Sequence, residues 1–314
     1  MKPMPFVYFK GAVRPHSEAH VSLAANSLQY GTTCFAGIRG YVSGNTVKIF
    51  RLRDHHQRLM NGAKILGFDY DIPYEQFFEL INELIINNQP TCDFYIRPFI
   101  FSGDEQLAPK RVGLNFDLAV YFVPLGNYFD LNKGMRLMVS SWRKFSDASL
   151  PTKAKAGGCY VNSFLATSEA MRCGYDEALV MDQDGFIVEA SVANILMVYR
   201  DRLLMPELGS ALLEGITMRT AVELLNDEGI EIETGRVDRS MIYTCDELML
   251  LGTAAQVAFA DSVDGRQIGK GASGEYCQLL RKSFQNVLNG KHARSAQWLT
   301  EFELTREVSN AHYR

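Results

Sequence analysis

Residues 152–160 read Thr-Lys-Ala-Lys-Ala-Gly-Gly-Cys-Tyr, which sets Lys153 and Lys155 two apart just after Pro151. An uncharged lysine amine condenses with a carbonyl to form an imine, provided burial or a neighbouring cation lowers its pKa. A solvated turn would accept the same residues. In an extended segment both lysines share a face, so spacing alone does not choose between them. The small neighbours Ala154, Ala156, Gly157 and Gly158 would let a flat cofactor approach the backbone.

Other stretches bear on the same chemistry. Glu214-Gly215-Ile216-Thr217 opens a helical pattern, where free amides and the Thr217 hydroxyl form an anion site. Gly252-Thr253, followed by Ala254 and Ala255, ends an apolar strand and offers a second small-residue cradle. Arg51, at the end of another strand, is a candidate fork for phosphate. A phosphorylated cofactor that also forms an imine with lysine satisfies all of these, and that cofactor is pyridoxal phosphate. In "DFYIRPFIF" the residues Tyr95, Arg97, Phe99 and Phe101 share a strand face. An arginine among aromatics needs an anion such as a substrate carboxylate. An exposed edge strand, which Pro98 suggests, would serve it equally.

The elements that must hold these residues alternate in type. Strands are expected at 6–10, 47–51, 93–101, 116–124 and from 136. A hairpin is expected around Asp184-Gly185. Asp54 is placed as the cap of a helix running to about Leu66. Residues 74–88 carry the stripe Phe77, Phe78, Leu80, Ile81, Leu84 and Ile85 at helical spacing, with Pro90 just beyond. Further helices are expected at about 160–172, 216–228 and 274–289. The fold class is therefore mixed α/β (α+β) in two domains. A small N-terminal domain over 1–124 meets a larger one over 135–314 through a polar, turn-rich loop at 125–134.

Composition excludes several other classes. The chain has 314 residues, 47% hydrophobic and 22% charged, with net charge −4. No basic face points to nucleic acid, and no apolar run is long enough for a membrane span. No signal peptide is read at the N-terminus. Six scattered cysteines without a CxxC pair read as reduced cytoplasmic thiols and predict no metal site. His55 and His56 are adjacent, which is not ligand spacing on a helix, and are expected on a solvated face. "GKGASG" at 269–274 matches GxGxxG but follows a turn-like stretch and lacks the acidic partner of a dinucleotide site.

Seven blocks, in order, resemble the class IV aminotransferases of pyridoxal-phosphate fold type IV, and most of all the branched-chain amino acid aminotransferases. They are "YGTTCFAGIRGY" (30–41), "FRLRDHHQRL" (50–59), "YIRP" (95–98), "SSWRKFSDASLPTKAKAGGCY" (140–160), "GFIVEASVANIL" (185–196), "EGIT" (214–217) and "GTAAQV" (252–257). The resemblance implies that Lys155 is the Schiff-base lysine and the proton carrier, and that Lys153 only flanks it. It implies a cofactor site of Arg51, Lys155, Tyr160, Glu189, Leu213, Gly215, Ile216, Thr217, Gly252 and Thr253. It implies a substrate pocket of Tyr30, Phe35, Gly37, Tyr95, Arg97, Leu125, Thr253, Ala254 and Ala255. The larger domain would be a pseudo-barrel. The expected activity is ping-pong transfer of the amino group of L-leucine, isoleucine or valine to 2-oxoglutarate. The expected partners are amino acids, keto acids and a second copy of the chain in a homodimer or larger assembly, and the expected compartment is the cytoplasm.

The sequence departs from the usual pattern at three points. Ala36 stands where the branched-chain enzymes usually carry glutamate, Leu125 where many have tryptophan, and Cys159 where asparagine is common. These changes keep two relatives open: an (R)-selective amine transaminase and a D-amino-acid transaminase. The Tyr95-x-Arg97 pair weighs against the second, and the intact GIRxY and YIRP blocks weigh against an aminodeoxychorismate lyase.

Overall fold

The computed structural model describes residues 2–126, 132–209 and 211–304. Two sheets organise the chain. The first is built from β1 (Phe6–Phe9), β2 (Ala12–Pro15), β3 (Cys34–Phe35), β4 (Ile38–Ser43), β5 (Thr46–Phe50), β6 (Phe94–Phe101) and β7 (Asp117–Pro124). The second is built from β8 (Met135–Arg143), β9 (Glu177–Met181), β10 (Ile187–Ala190), β11 (Asn194–Tyr199), β12 (Arg202–Pro206), β13 (Ile232–Gly235), β14 (Glu247–Gly252), β15 (Gln256–Val263) and β16 (Arg266–Gln267). A last strand, β17 (Leu299–Glu303), returns to the first sheet and pairs antiparallel with β5, from Leu299 opposite Phe50 to Glu303 opposite Thr46. The sheets therefore do not divide at a single point of the chain. Of the loop expected at 125–134, residues 127–131 lie outside the described residues, as do 305–314 of the tail.

The helices are α1 (Asn26–Tyr30), α2 (Leu52–Leu66), α3 (Tyr74–Asn88), α4 (Tyr160–Arg172), α5 (Ile216–Asp227), α6 (Arg239–Ile242), α7 (Glu275–Leu288) and α8 (Ser295–Trp298). α3 buries Phe77, Leu80, Ile81, Leu84 and Ile85 beneath the first sheet. Each such side chain contributes about 1.5–3 kcal/mol by leaving water. Asp54 does not cap α2. The capping position is Arg51, in the left-handed region at φ 50°, and Asp54 lies inside the first turn. The paired histidines are buried rather than solvated. His56 Nε2 lies 2.7 Å from the Ile72 carbonyl oxygen, while His55 packs inward on the same helix.

The second sheet runs β10-β9-β8-β15-β14-β11-β12-β13, with β8 parallel to both β9 and β15. Its two ends meet. Ile187 in β10 bridges antiparallel to Val237, two residues past β13, with the Ile187 N–H donating to the Val237 carbonyl over 2.8 Å. This contact closes the sheet into a pseudo-barrel. Leu137, Leu179, Ile187, Ile195 and Val263 belong to one of its packed cores. α5 and α7 cover a second face through Leu224, Leu280 and Phe284.

β6 is not an edge strand. It lies between β7 and the β3/β4 pair, and Pro98 occupies the gap where the β4 ladder ends at Ile96 and the β3 ladder begins at Phe99. No ladder partner there needs the missing N–H. The "GKGASG" loop leads into α7, but Glu247 already holds that helix start. Its carboxylate accepts from the Tyr276 and Cys277 N–H groups over 3.1 and 3.0 Å.

Candidate active site

The segment that carries Lys155 connects β8 to α4 and is stitched to the first sheet. Cys34 and Ala156 form a bridge. The Phe35 N–H donates to the Lys155 carbonyl over 3.0 Å, and the Gly157 and Gly158 N–H groups donate to the Thr33 and Gly31 carbonyls, each over 2.8 Å. A Cβ at Gly157 would collide with the Thr33 hydroxyl. The glycine pair therefore admits the neighbouring backbone, not a flat cofactor as the sequence suggested. Lys155 is fixed where the two sheets face each other.

Its amine points into a cavity and donates to the Tyr160 hydroxyl over 2.6 Å. Burial, followed by the Arg58 and Arg97 guanidiniums, pushes the amine well below the usual lysine range; Glu189 opposes the shift. The shift favours the free amine, the form that acts as nucleophile or base. Lys153 turns elsewhere. Its ammonium is held by the Leu208 and Leu212 carbonyls at 2.6 and 3.2 Å and by Glu214 at 3.7 Å.

Glu189 enters the same cavity from β10. One carboxylate oxygen is 2.6 Å from the Lys144 ammonium. The other accepts from the Leu213 N–H at 3.3 Å and the Asn194 amide at 3.4 Å. Burial, with Glu189 and Tyr95 adding to it, raises the pKa of Tyr160, so its hydroxyl keeps its proton at neutral pH.

At the far end, Gly215, Ile216 and Thr217 form the start of α5, with Gly252 and Thr253 from the end of β14 beside them. First-turn amides of a helix have no intrahelical carbonyl, and they favour an anion. The arginine there is Arg58, not Arg51. Arg58 lines the cavity and its buried Nε has no partner. The Arg51 guanidinium is spent elsewhere, on Asp54 at 2.6 Å and on Thr220 and Glu223 at 2.9 Å each, and lies over the Trp298 ring. The two arginines are seven apart, two turns of α2, and the sequence offered no reason to prefer the second.

A second cavity of about 730 Å³ opens from Lys155 and Tyr160 toward the first sheet. Phe35, Gly37, Tyr95, Arg97, Leu125, Thr253, Ala254 and Ala255 line it. The Arg97 guanidinium sits 4.5 Å from the Phe35 ring centre and 3.4 Å from the Tyr95 hydroxyl, and its buried Nε lacks a partner. Tyr30 is outside both cavities, at the exposed end of α1. Tyr121 and Val123 also line the cavity, and Arg39 ties its rim by donating to the Gly126 and Ala254 carbonyls at 2.8 and 3.4 Å. These three were missed, as were Lys144, Asn194 and Ser191 in the first cavity.

Residues 34–263 match the family model of amino-transferase class IV. The chain belongs to the class IV aminotransferases. The aminotransferase is 36% identical over 300 residues to a probable branched-chain-amino-acid aminotransferase of Aquifex aeolicus, covering 95% of this chain and 96% of the relative. It superposes with TM-score 0.91 and 35% identity on a branched-chain aminotransferase from Thermoproteus uzoniensis with norvaline, covering 96% and 99% of the two chains. A third, the branched-chain amino acid aminotransferase from Thermobaculum terrenum in its PLP-form, aligns with TM-score 0.90 and 29% identity over 96% and 99%.

The family's cofactor is pyridoxal phosphate, and the residues present fit it. The unpartnered Arg58 Nε and the start of α5 suit a phosphate. Glu189 suits a protonated ring nitrogen, Tyr160 a phenolic oxygen, and the Lys155 amine, its pKa lowered by burial, a carbonyl carbon.

Proposed function

We propose that this aminotransferase moves the amino group of L-branched-chain amino acids to 2-oxoglutarate, one site serving both substrates in turn. The observation that carries the reading is Arg97: a half-buried arginine whose buried Nε has no partner, set among aromatic and apolar walls and lining the same cavity as Lys155. It supplies a carboxylate anchor beside Phe35, Tyr121, Val123 and Leu125, which take an apolar side chain. When bound, pyridoxal phosphate supplies an electron sink for the substrate's Cα. Lys155, which lines both cavities, takes the Cα proton and returns it. Tyr160 holds the amine over 2.6 Å and keeps it aimed. Arg58, Thr217 and Thr253 would hold the phosphate and so keep the reacting atoms in register.

A second copy of the chain completes the proposal. Val21, Leu23, Leu28, Leu107 and Val112 are exposed on segments joined by Asn26, whose side-chain amide donates to the Gln106 and Ala108 carbonyls over 2.9 Å each. Such a patch fits a homodimer contact near Tyr30, which would bring Tyr30 to a neighbouring site. Among the described residues no helix is long and apolar enough to cross a membrane. All six cysteines are free, in keeping with the cytoplasm.

The test is a half-reaction without keto acid, following the lysine-bound cofactor's absorbance as single donors are added. Bleaching by L-leucine ahead of D-alanine and (R)-1-phenylethylamine is the expected result. Equal or faster bleaching by either of the other donors would overturn the choice of substrate.

A further inference from the structure

The ammonium of Lys144 lies 2.6 Å from Glu189, and both side chains are nearly sealed from solvent, 11% and 7% exposed. The remaining polar contacts to this carboxylate are long, 3.3 Å from the Leu213 N–H and 3.4 Å from Asn194. Lys144 is thus the strong partner. Its backbone is fixed on both sides: the N–H donates to the Met181 carbonyl over 2.7 Å, and the carbonyl accepts from the Gln183 amide over 2.8 Å. We propose that Lys144 is a positioning residue that pairs with the Glu189 carboxylate and holds it on one rotamer, ready for the cofactor's ring nitrogen. This rests on the cofactor reading above.

The physical reason is desolvation. A buried carboxylate without a cation takes up a proton instead of staying charged. A protonated Glu189 could no longer balance a positively charged ring nitrogen. The other charged or titratable groups around Glu189 are Lys155 and Tyr160 across the cavity, with Arg58 from α2 and Arg97 from β6 in the same field. Arg58 and Arg97 are committed to anions when the site is filled, and Lys155 to the cofactor, so none replaces Lys144.

The experiment titrates apoprotein with pyridoxal phosphate by fluorescence at several pH values. The proteins are wild type, Lys144→Met, Lys144→Arg, Glu189→Gln and the Lys144→Met/Glu189→Gln double variant. The readout is the ratio of dissociation constants, variant over wild type, which cancels the titration of the phosphate itself. For Lys144→Met the ratio is expected to rise by about tenfold or more from about pH 8.5 to about pH 6, tenfold being one unit of carboxyl pKa. Lys144→Arg should keep it flat. In the Glu189→Gln background the methionine change should add no pH dependence. Lys144→Gln takes the place of the methionine variant if that one does not fold. A flat ratio for the neutral variant, or a pH-dependent loss that survives in Glu189→Gln, would overturn the proposal while leaving the cofactor reading intact. Failure of the wild type to bind at any pH would overturn both.

Discussion

Lys155 and Tyr160 sit five residues apart in sequence and 2.6 Å apart at their polar ends. The first is on the loop stitched to Thr33, and the second is the first residue of α4. This separates the two lysines of the opening motif. Lys155→Ala should abolish transamination and the absorbance of the lysine-bound cofactor. Lys153→Ala should keep both, because Lys153 is held by the Leu208 and Leu212 carbonyls and by Glu214, outside the cavity. Spectra and turnover of the two purified variants decide it, and full activity in Lys155→Ala would sink the mechanism.

The depressed pKa of Lys155 has a cost in the apoprotein. Its amine holds a proton less readily in the folded chain than in the unfolded one, where a lysine titrates at about pH 10.4, so between the two values the unfolded state binds more protons. That penalty is complete below the folded pKa and fades as pH rises through the unfolded value. Apo Lys155→Met should therefore melt at higher temperature than apo wild type at neutral pH. The gap should narrow on the alkaline side. A gap that stays constant or widens with pH would contradict the assignment.

Arg58 and Arg51 should fail in different ways. Arg58→Met should weaken pyridoxal phosphate binding by about ten- to a hundredfold, the range of one charge-assisted hydrogen bond, and leave binding of phosphate-free pyridoxal nearly unchanged. Arg51→Met should lower stability by about 2–3 kcal/mol. It removes the buried cation from a network in which Asp54 still pairs with Arg219 and Glu223 with Arg294, and those remaining pairs keep the loss below that of a fully buried pair broken outright. Isothermal binding with both ligands, beside denaturant melts, separates the two.

Local patterns were the legible part of this chain. The stripe of α3 needs only a 3.6-residue period, and the Asp184-Gly185 hairpin only a turn signal between apolar runs. Lys155, Tyr160, Glu189 and Thr217 came from short motifs, and they share one cavity. What escaped depended on direction and on distant partners. Arg51 looked like an anion ligand because nothing in its neighbourhood reveals that Thr220 and Glu223, about 170 positions on, would claim it. Lys144 carried no signal of its own, because its partner Glu189 lies on another strand. Pro98 looked like an edge because the gap between β3 and β4 exists only once three strands are assembled.

The pairing of β17 with β5 has a consequence for synthesis. β5 is made early, yet its outer hydrogen bonds come from residues 299–303, and Trp298 under Arg51 arrives with them. While the chain emerges from a ribosome, that border of the sheet stays open until residues 299–303 have been made. An unfinished border is a template for pairing with another nascent chain. Premature termination anywhere before residue 299 should thus yield insoluble product, even where the catalytic lysine and every cofactor contact have already been translated.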